Sequence, residues 1–181
     1  MENNNPNFLK STMTYGAILG ISLVVYNIIL YIVNLSLNKP LSYIGYIIII
    51  GGIYLSIKSF RDLSEQKAIT YGRAVGVGVL TVVFSSVIVA FYTYILNTYI
   101  DTGLIQKILD ITREEYATKG LSDEQIDTAI NMSSKFITPG FISFFVILGS
   151  AFMGTIFSLI IAAFLKKEPS IFESSENTLQ S

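Results

Sequence analysis

The chain has 181 residues, of which 51% are hydrophobic and 14% are charged, and its net charge is −1 at neutral pH. Soluble domains carry about 25% charged residues, so this deficit indicates a protein that contacts lipid. The sequence contains no Cys and no His, which excludes disulfides, thiolate or imidazole metal ligands and Ser-His-Asp catalysis. We therefore expect no cofactor and no metal site, and the absence of a basic cluster predicts no nucleic-acid partner.

Both ends of the chain are polar. Residues 1–10 are Asn-rich, contain Glu2 and a single Lys, and are predicted to form a polar tail. This composition does not fit the basic leading region of a cleavable signal peptide, so the first apolar stretch is expected to be a retained signal anchor. Residues 168–181 are rich in Ser and Glu and are predicted to form a disordered tail.

Four long stretches without charge occupy residues 11–38, 40–57, 74–100 and 136–165. Each is long enough for a bilayer, which takes roughly 17 to 25 apolar residues in a helix. The apolar runs are continuous rather than alternating, which favours helices over barrel strands. The sequence thus predicts an all-α polytopic membrane protein with four transmembrane helices over 13–37, 41–57, 74–100 and 139–165, the second being the shortest.

The segment 101–137 is too polar for the bilayer but has the periodicity of amphipathic helices. Gly120 is placed to end a first helix, and Ser122 with Gln125 forms a capping box for a second. Thr138 and Pro139 then have the order of an N-cap and a first helical residue for the last span. We predict a helical hairpin that lies on the membrane surface or caps the bundle; its carboxylates either are solvated or bind a cation.

The connection between spans two and three is dense in basic residues, with Lys58, Arg61, Lys67 and Arg73. The connection between spans three and four is acidic. Because basic residues concentrate on the cytoplasmic side, both termini are predicted to be cytoplasmic, in a bacterial inner membrane.

A short motif recurs at the starts of spans one and three. Thr14-Tyr15-Gly16 is followed by Gly20, and Thr70-Tyr71-Gly72 is followed by Gly76. The recurrence either reflects a parallel duplication of two helical hairpins or arises by chance. Small residues four apart also let helix backbones approach closely, either within the chain or between copies of it. The predicted packing residues are Gly16, Gly20, Gly72, Gly76, Ser150 and Gly154.

The spans contain no Asp, Glu, Lys, Arg or His, which weakens the case for a proton-coupled transporter. Asn27 lies near the middle of span one and is expected to find an interhelical partner. Arg61 and Asp62 either form a solvated polar turn or dock a partner.

Several segments of the chain are similar to a known family. They are KSFRD at 58–62, ITYGRA at 69–74, GLSDEQI at 120–126 and SLIIAAFLKK at 158–167. Together they resemble the bacterial four-span membrane proteins of domain-of-unknown-function family 4199, over nearly the whole chain apart from its tails. Thr102-Gly103 departs from the pattern, which has a Pro after the Asp. The resemblance implies an inner-membrane location and four helices, and it supplies no catalytic residues.

We expect a protein that is not an enzyme but a membrane component, acting through helix packing and contacts with other proteins. Its expected partners are the lipid bilayer and either other proteins or further copies of itself. The alternative is a pore or carrier for a small solute, built from two parallel helical hairpins.

Overall fold

The computed structural model describes residues 7–64 and 66–167. Over these residues the secondary structure consists of helices. They are α1 (Phe8–Ile32), α2 (Lys39–Leu63), α3 (Tyr71–Ile95), a π-helical turn (Leu96–Ile100), α4 (Leu104–Thr118), α5 (Asp123–Ser134) and α6 (Pro139–Leu165). Four of these elements are long and apolar enough to cross a membrane: α1, α2, α3 with its π-helical turn, and α6. The predicted all-α membrane fold is therefore confirmed.

The first transmembrane helix begins and ends earlier than the predicted range 13–37. Asn7 is its N-cap, and the Asn7 Oδ1 atom accepts a hydrogen bond from the Lys10 amide at 3.2 Å. Residues 8–10, which the sequence placed in the polar tail, are therefore helical. The helix stops at Ile32, and Asn34 then adopts a positive φ of 56° that turns the chain toward α2. The rest of the predicted N-terminal tail, residues 1–6, and the tail at 168–181 lie outside the described residues.

The second helix is longer than its predicted span of 41–57, and it is as long as α1. Asn38 caps its start by accepting from the Leu41 amide at 3.3 Å, and the helix continues to Leu63. The apolar run marks the part that fits hydrocarbon, whereas helical hydrogen bonding continues beyond it. Arg61 and Asp62 therefore lie in the last turn of a helix and not in a loop.

Helix α3 is the centre of the bundle. It packs most extensively against α6 and α1, while α2 lies across α1, α3 and α6. Of the most apolar window in each helix, 44% is buried for α3 and 11% for α6, which places α6 at the periphery. The main hydrophobic core consists of Leu19, Leu23, Ile53, Ile57, Phe60, Ile69, Ala74, Val77, Val82, Ala162 and Leu165.

One end of the bundle is closed by a pair of backbone hydrogen bonds between Ile69 and Lys167, at 2.8 and 3.0 Å. This end contains the start of α1, the end of α2, the start of α3 and the end of α6. Phe8 packs edge-on against Phe60 with ring centroids 5.7 Å apart, and the Arg73 guanidinium lies 5.1 Å from the Phe60 ring. We call it the basic end; its basic residues are Lys10, Lys58, Arg61, Lys67, Arg73, Lys166 and Lys167.

Helices α4 and α5 form the predicted hairpin at the opposite end. Gly120 ends α4 with a φ of 80°, and the Ser122–Gln125 capping box begins α5. The hairpin has its own small core of Leu109, Ile126 and Ile130. An ion pair between Lys39 and Glu115 joins α4 to the first residue of α2, so the hairpin is attached to the bundle.

The attachment of α4 is expected to depend on pH. The hydrogen bond and the positive charge of Lys39 lower the pKa of Glu115 from its ordinary value of 4.5. A lowered pKa means that the ion pair stabilises the docked hairpin above the ordinary pKa and that this contribution is lost as pH falls through the folded-state value. Amide hydrogen exchange in α4 should therefore rise between neutral pH and about pH 3, after correction for intrinsic exchange. Glu115→Gln should remove this pH dependence, whereas Glu114→Gln should retain it; equal behaviour of the two variants would contradict the attachment.

Candidate functional site

Helices α1 and α3 approach each other at two glycines of α1. A Cβ atom added to Gly16 would lie 2.6 Å from the Cβ of Phe84 and 2.9 Å from the carbonyl oxygen of Thr81. A Cβ atom added to Gly20 would lie 3.0 Å from the Cβ of Ile88. Both glycines are buried. The close approach of these parallel helices therefore requires the absence of a side chain at Gly16, whereas a side chain at Gly20 would displace its neighbours by a few tenths of an ångström.

Helices α3 and α6 run antiparallel to each other and also pack closely at glycines. A Cβ atom on Gly154 would lie 2.7 Å from Cγ1 of Val82, and Gly78 of α3 lies directly against Ser158 of α6. Ser150, one turn before Gly154, is half-buried. Gly78 was not among the predicted packing residues, although Ala74 and Gly78 are small residues four positions apart, a spacing that could have indicated it.

The second copy of the recurring motif has a different environment. Among the described residues, no atom lies within 4 Å of a Cβ built on Gly72. A Cβ atom built on Gly76 would meet the ring of Phe8 and no other side chain in the described part of the chain, with the nearest ring atom at 3.4 Å. The reason is geometric: α1 meets α3 at residues 81–88, deeper along α3 than Gly72. The two halves of the motif are thus not equivalent in packing.

Polar side chains inside the bundle form hydrogen bonds within their own helix or to the adjacent helix. Ser56 and Thr81 are fully buried, and their hydroxyl oxygens lie 2.7 Å apart. Thr81 donates to the carbonyl of Val77 at 2.8 Å, so the hydrogen between the two hydroxyls belongs to Ser56. This contact joins α2 to α3 within a closely packed region.

Asn27 differs from the expectation of an interhelical partner. Its side chain is half-buried, and its Nδ2 atom donates to the carbonyl of Leu23 at 2.8 Å, one turn earlier in the same helix. The amide can satisfy a helical carbonyl without leaving its own helix, as Ser and Thr also do.

The outer end of α3 has a feature that the sequence reasoning missed. The chain widens into a π-helical turn, in which the Asp101 amide donates to the carbonyl of Leu96 at 2.8 Å. Three buried polar atoms in this region have no hydrogen-bond partner among the described residues: Tyr92 OH, Asn97 Oδ1 and Thr98 Oγ1. The succession of Asn97 and Thr98 at the end of an apolar span was the available signal.

At the basic end, the structure brings Arg61 and Asp62 together. The Arg61 Nε atom donates to Asp62 Oδ1 at 2.9 Å, and Nη1 reaches the carbonyl of Leu165 at 3.5 Å. Because Leu165 is the last residue of α6, the guanidinium lies at the negative end of that helix dipole. Arg61 thereby links the ends of α2 and α6, while the Asp62 carboxylate is 45% exposed.

The carboxylates of the outer hairpin do not converge. Within residues 7–64 and 66–167 there is no group of three or more acidic side chains that could hold a metal ion. Asp127 instead pairs with Arg113 at 2.9 Å, and Asp101 pairs with Lys107 at 3.2 Å.

An extended apolar surface lies on the outside of α6. It exposes Phe141, Phe144, Phe145, Leu148, Phe152, Ile156, Leu159, Ile160 and Phe164. A shallow groove of about 570 Å³ interrupts this surface, lined by Phe145, Leu148, Gly149, Ala151, Phe152 and Thr155. Gly149 is one of the lining residues, and a Cβ atom built there would have no described neighbour within 4 Å, so a side chain at this position would project into the groove.

The packing glycines should differ sharply from Gly72 in their tolerance of a side chain. Gly16→Ala and Gly154→Ala should each lower the free energy of unfolding by about 1–3 kcal/mol, because the added methyl group forces close-packed helices apart. Gly72→Ala, at the equivalent position of the motif, should leave it unchanged or raise it by about 0.5–1 kcal/mol through the better helix propensity of Ala. Reversible unfolding by SDS in bicelles measures these values; equal losses at Gly16 and Gly72 would contradict the packing described.

Comparison with known sequences identifies a family. The family described as "Protein of unknown function (DUF4199)" matches residues 14–167. No curated protein and no solved structure matches the chain. The matched range includes α2 to α6 entirely and most of α1. The resemblance seen in the sequence is thereby confirmed, and the chain belongs to the DUF4199 family of proteins of unknown function.

Proposed function

We propose that this protein is a non-catalytic component of a bacterial inner membrane that acts by binding a second membrane protein through α6. Its four long apolar helices are those of a multi-pass membrane protein. The charge-free stretches of these helices, within residues 11–38, 40–57, 74–100 and 136–165, contain no Asp, Glu, Lys, Arg or His, the side chains that proton relays and charged-substrate pathways use. A function that depends on contacts with another protein is therefore better supported than one that depends on reactive or titrating side chains.

The outer face of α6 is the observation on which the proposal rests. Only a narrow stripe of this helix, Gly154, Ser158, Ala162 and Leu165, is buried in the bundle. The opposite side combines protruding aromatic rings with the groove at Gly149. Helix association in lipid depends on such shape complementarity, because lipid tails already satisfy an apolar surface. A groove that admits a partner's side chain would therefore favour a protein over lipid.

The carrier alternative has less support. A pore or carrier was suggested by the recurring Thr-Tyr-Gly motif and by the polar residues within the spans. The two halves of the motif pack differently, and Ser56 and Thr81 use their hydroxyl groups in a helix–helix contact. The close contacts of Gly16 and Gly154 also favour a tightly packed bundle over a solute pathway.

The proposed orientation places the basic end in the cytoplasm. Seven Lys and Arg residues lie at the basic end of the described chain, against five at the opposite end, namely Lys39, Lys107, Arg113, Lys119 and Lys135. An excess of Lys and Arg near the membrane is typical of the cytoplasmic side.

Photo-crosslinking in native membranes tests the α6 surface. A photoreactive amino acid at Phe152, which is 68% exposed, should give an adduct with a second polypeptide. The matched control is Ile47 of α2, which is 67% exposed and should crosslink to lipid only. Gly149→Leu should abolish the protein adduct by filling the groove. An adduct of twice the chain mass would identify a second copy as the partner. Lipid adducts at both positions, with recovery of the protein alone and monomeric, would contradict the proposal.

Reporter fusions test the orientation. A fluorescent reporter that matures only in the cytoplasm should be active after Ser64 and inactive after Lys119. A phosphatase that requires export should show the reverse pattern, because the hairpin is proposed to lie outside. Cytoplasmic activity after Lys119 would overturn the orientation without affecting the fold.

A further inference from the structure

A second groove lies between α1 and α2 at the basic end, on the outside of the bundle. Its volume is about 470 Å³, and it is lined by Tyr15, Leu55, Lys58, Ser59, Asp62 and Leu63. The Tyr15 hydroxyl donates to the Ser59 oxygen at 2.6 Å, which fixes α1 against α2 behind the groove. The proposed partner surface on α6 contains none of these residues.

The residues of α2 in this groove share one helical face. Leu55, Lys58 and Asp62 are spaced by three and four positions, so their side chains lie one above the other. At 1.5 Å per residue, Lys58 lies about 4.5 Å and Asp62 about 10 Å closer to the end of the bundle than Leu55. The face therefore changes from apolar to basic to acidic as it leaves the hydrocarbon.

Both charges are accessible to a molecule in the groove. Lys58 is exposed, and its ammonium lies 5.8 Å from the centre of the Tyr54 ring. The Asp62 carboxylate is 45% exposed, and both of its contacts with Arg61, each at 2.9 Å, use the same oxygen, Oδ1. Arg61 thus binds the carboxylate through one oxygen, and neither of these contacts uses Oδ2.

We propose that this groove binds a phospholipid whose headgroup contains both a phosphate and a primary ammonium, namely phosphatidylethanolamine. An acyl chain lies along Leu55, the phosphate accepts from Lys58, and the headgroup ammonium donates to Asp62. From the bilayer interior outward, Leu55, Lys58 and Asp62 follow one another in the same order as the acyl chain, the phosphate and the ammonium group of this lipid. Phosphatidylglycerol places no cation opposite Asp62, and phosphatidylcholine carries a quaternary ammonium that has no N–H to donate.

Native mass spectrometry of the full-length protein tests this assignment. The protein is released from mixed micelles containing equal amounts of the dioleoyl forms of phosphatidylethanolamine, phosphatidylglycerol and phosphatidylcholine. The first lipid bound should be phosphatidylethanolamine. Asp62→Asn should lower its occupancy relative to phosphatidylglycerol about fivefold, and Lys58→Gln should lower the occupancy of all three lipids, because each contains the phosphate.

The opposite end of the bundle offers matched controls. The Lys119 ammonium lies 5.9 Å from the centre of the Tyr116 ring, compared with 5.8 Å between Lys58 and Tyr54. Asp127 pairs with Arg113 as Asp62 does with Arg61. Lys119→Gln and Asp127→Asn should leave lipid occupancy unchanged. To separate binding from folding, the rise in melting temperature on adding phosphatidylethanolamine is measured for each variant against its own lipid-free form; Asp62→Asn should lose this rise. A preference for phosphatidylglycerol or phosphatidylcholine, or equal losses in the control variants, would overturn the proposal.

Discussion

Close contact between helix backbones, made by glycines, sets the arrangement of this protein. Within a bilayer, apolar side chains gain little by leaving lipid for one another, so helices associate where their surfaces fit closely. Gly16 and Gly20 let α1 lie against α3, and Gly78 and Gly154 let α6 lie against its other side. The central place of α3 follows from these contacts, and the peripheral place of α6 follows from its single narrow packing stripe.

The polar residues of the bundle act within this packing. Thr81 and Asn27 each bond a carbonyl one turn earlier, and Ser56 reaches only as far as Thr81. The bonds of Thr81 and Asn27 satisfy these side chains within their own helices, whereas the bond of Ser56 joins α2 to α3. These interior polar groups are thus used within the bundle. The outer surfaces of the described chain include the groove on α6, the groove beside Lys58 and the outer hairpin.

The sequence predicts well what depends on composition and on local chemistry. The number of long apolar helices, the hairpin, its capping box and the N-cap at Thr138 all follow from residues close together in the chain. The exact ends of α1 and α2 do not, because hydropathy marks the hydrocarbon and helical hydrogen bonding extends beyond it. The candidate site was predictable only in part. Gly16 and Gly72 have the same local sequence, and only the depth at which α1 meets α3 decides which of them is buried. The π-helical turn at Leu96–Ile100 likewise depends on how α3 meets the hairpin.

The paired backbone bonds between Ile69 and Lys167 have a mechanical consequence. They connect the polypeptide leaving α6 to the short link between α2 and α3, so these two segments move as one. Tension applied to the chain beyond Lys167 would reach the α2–α3 link before it could draw α6 along its axis. A pull on this end of the chain would therefore be shared among α2, α3 and α6 and not carried by α6 alone.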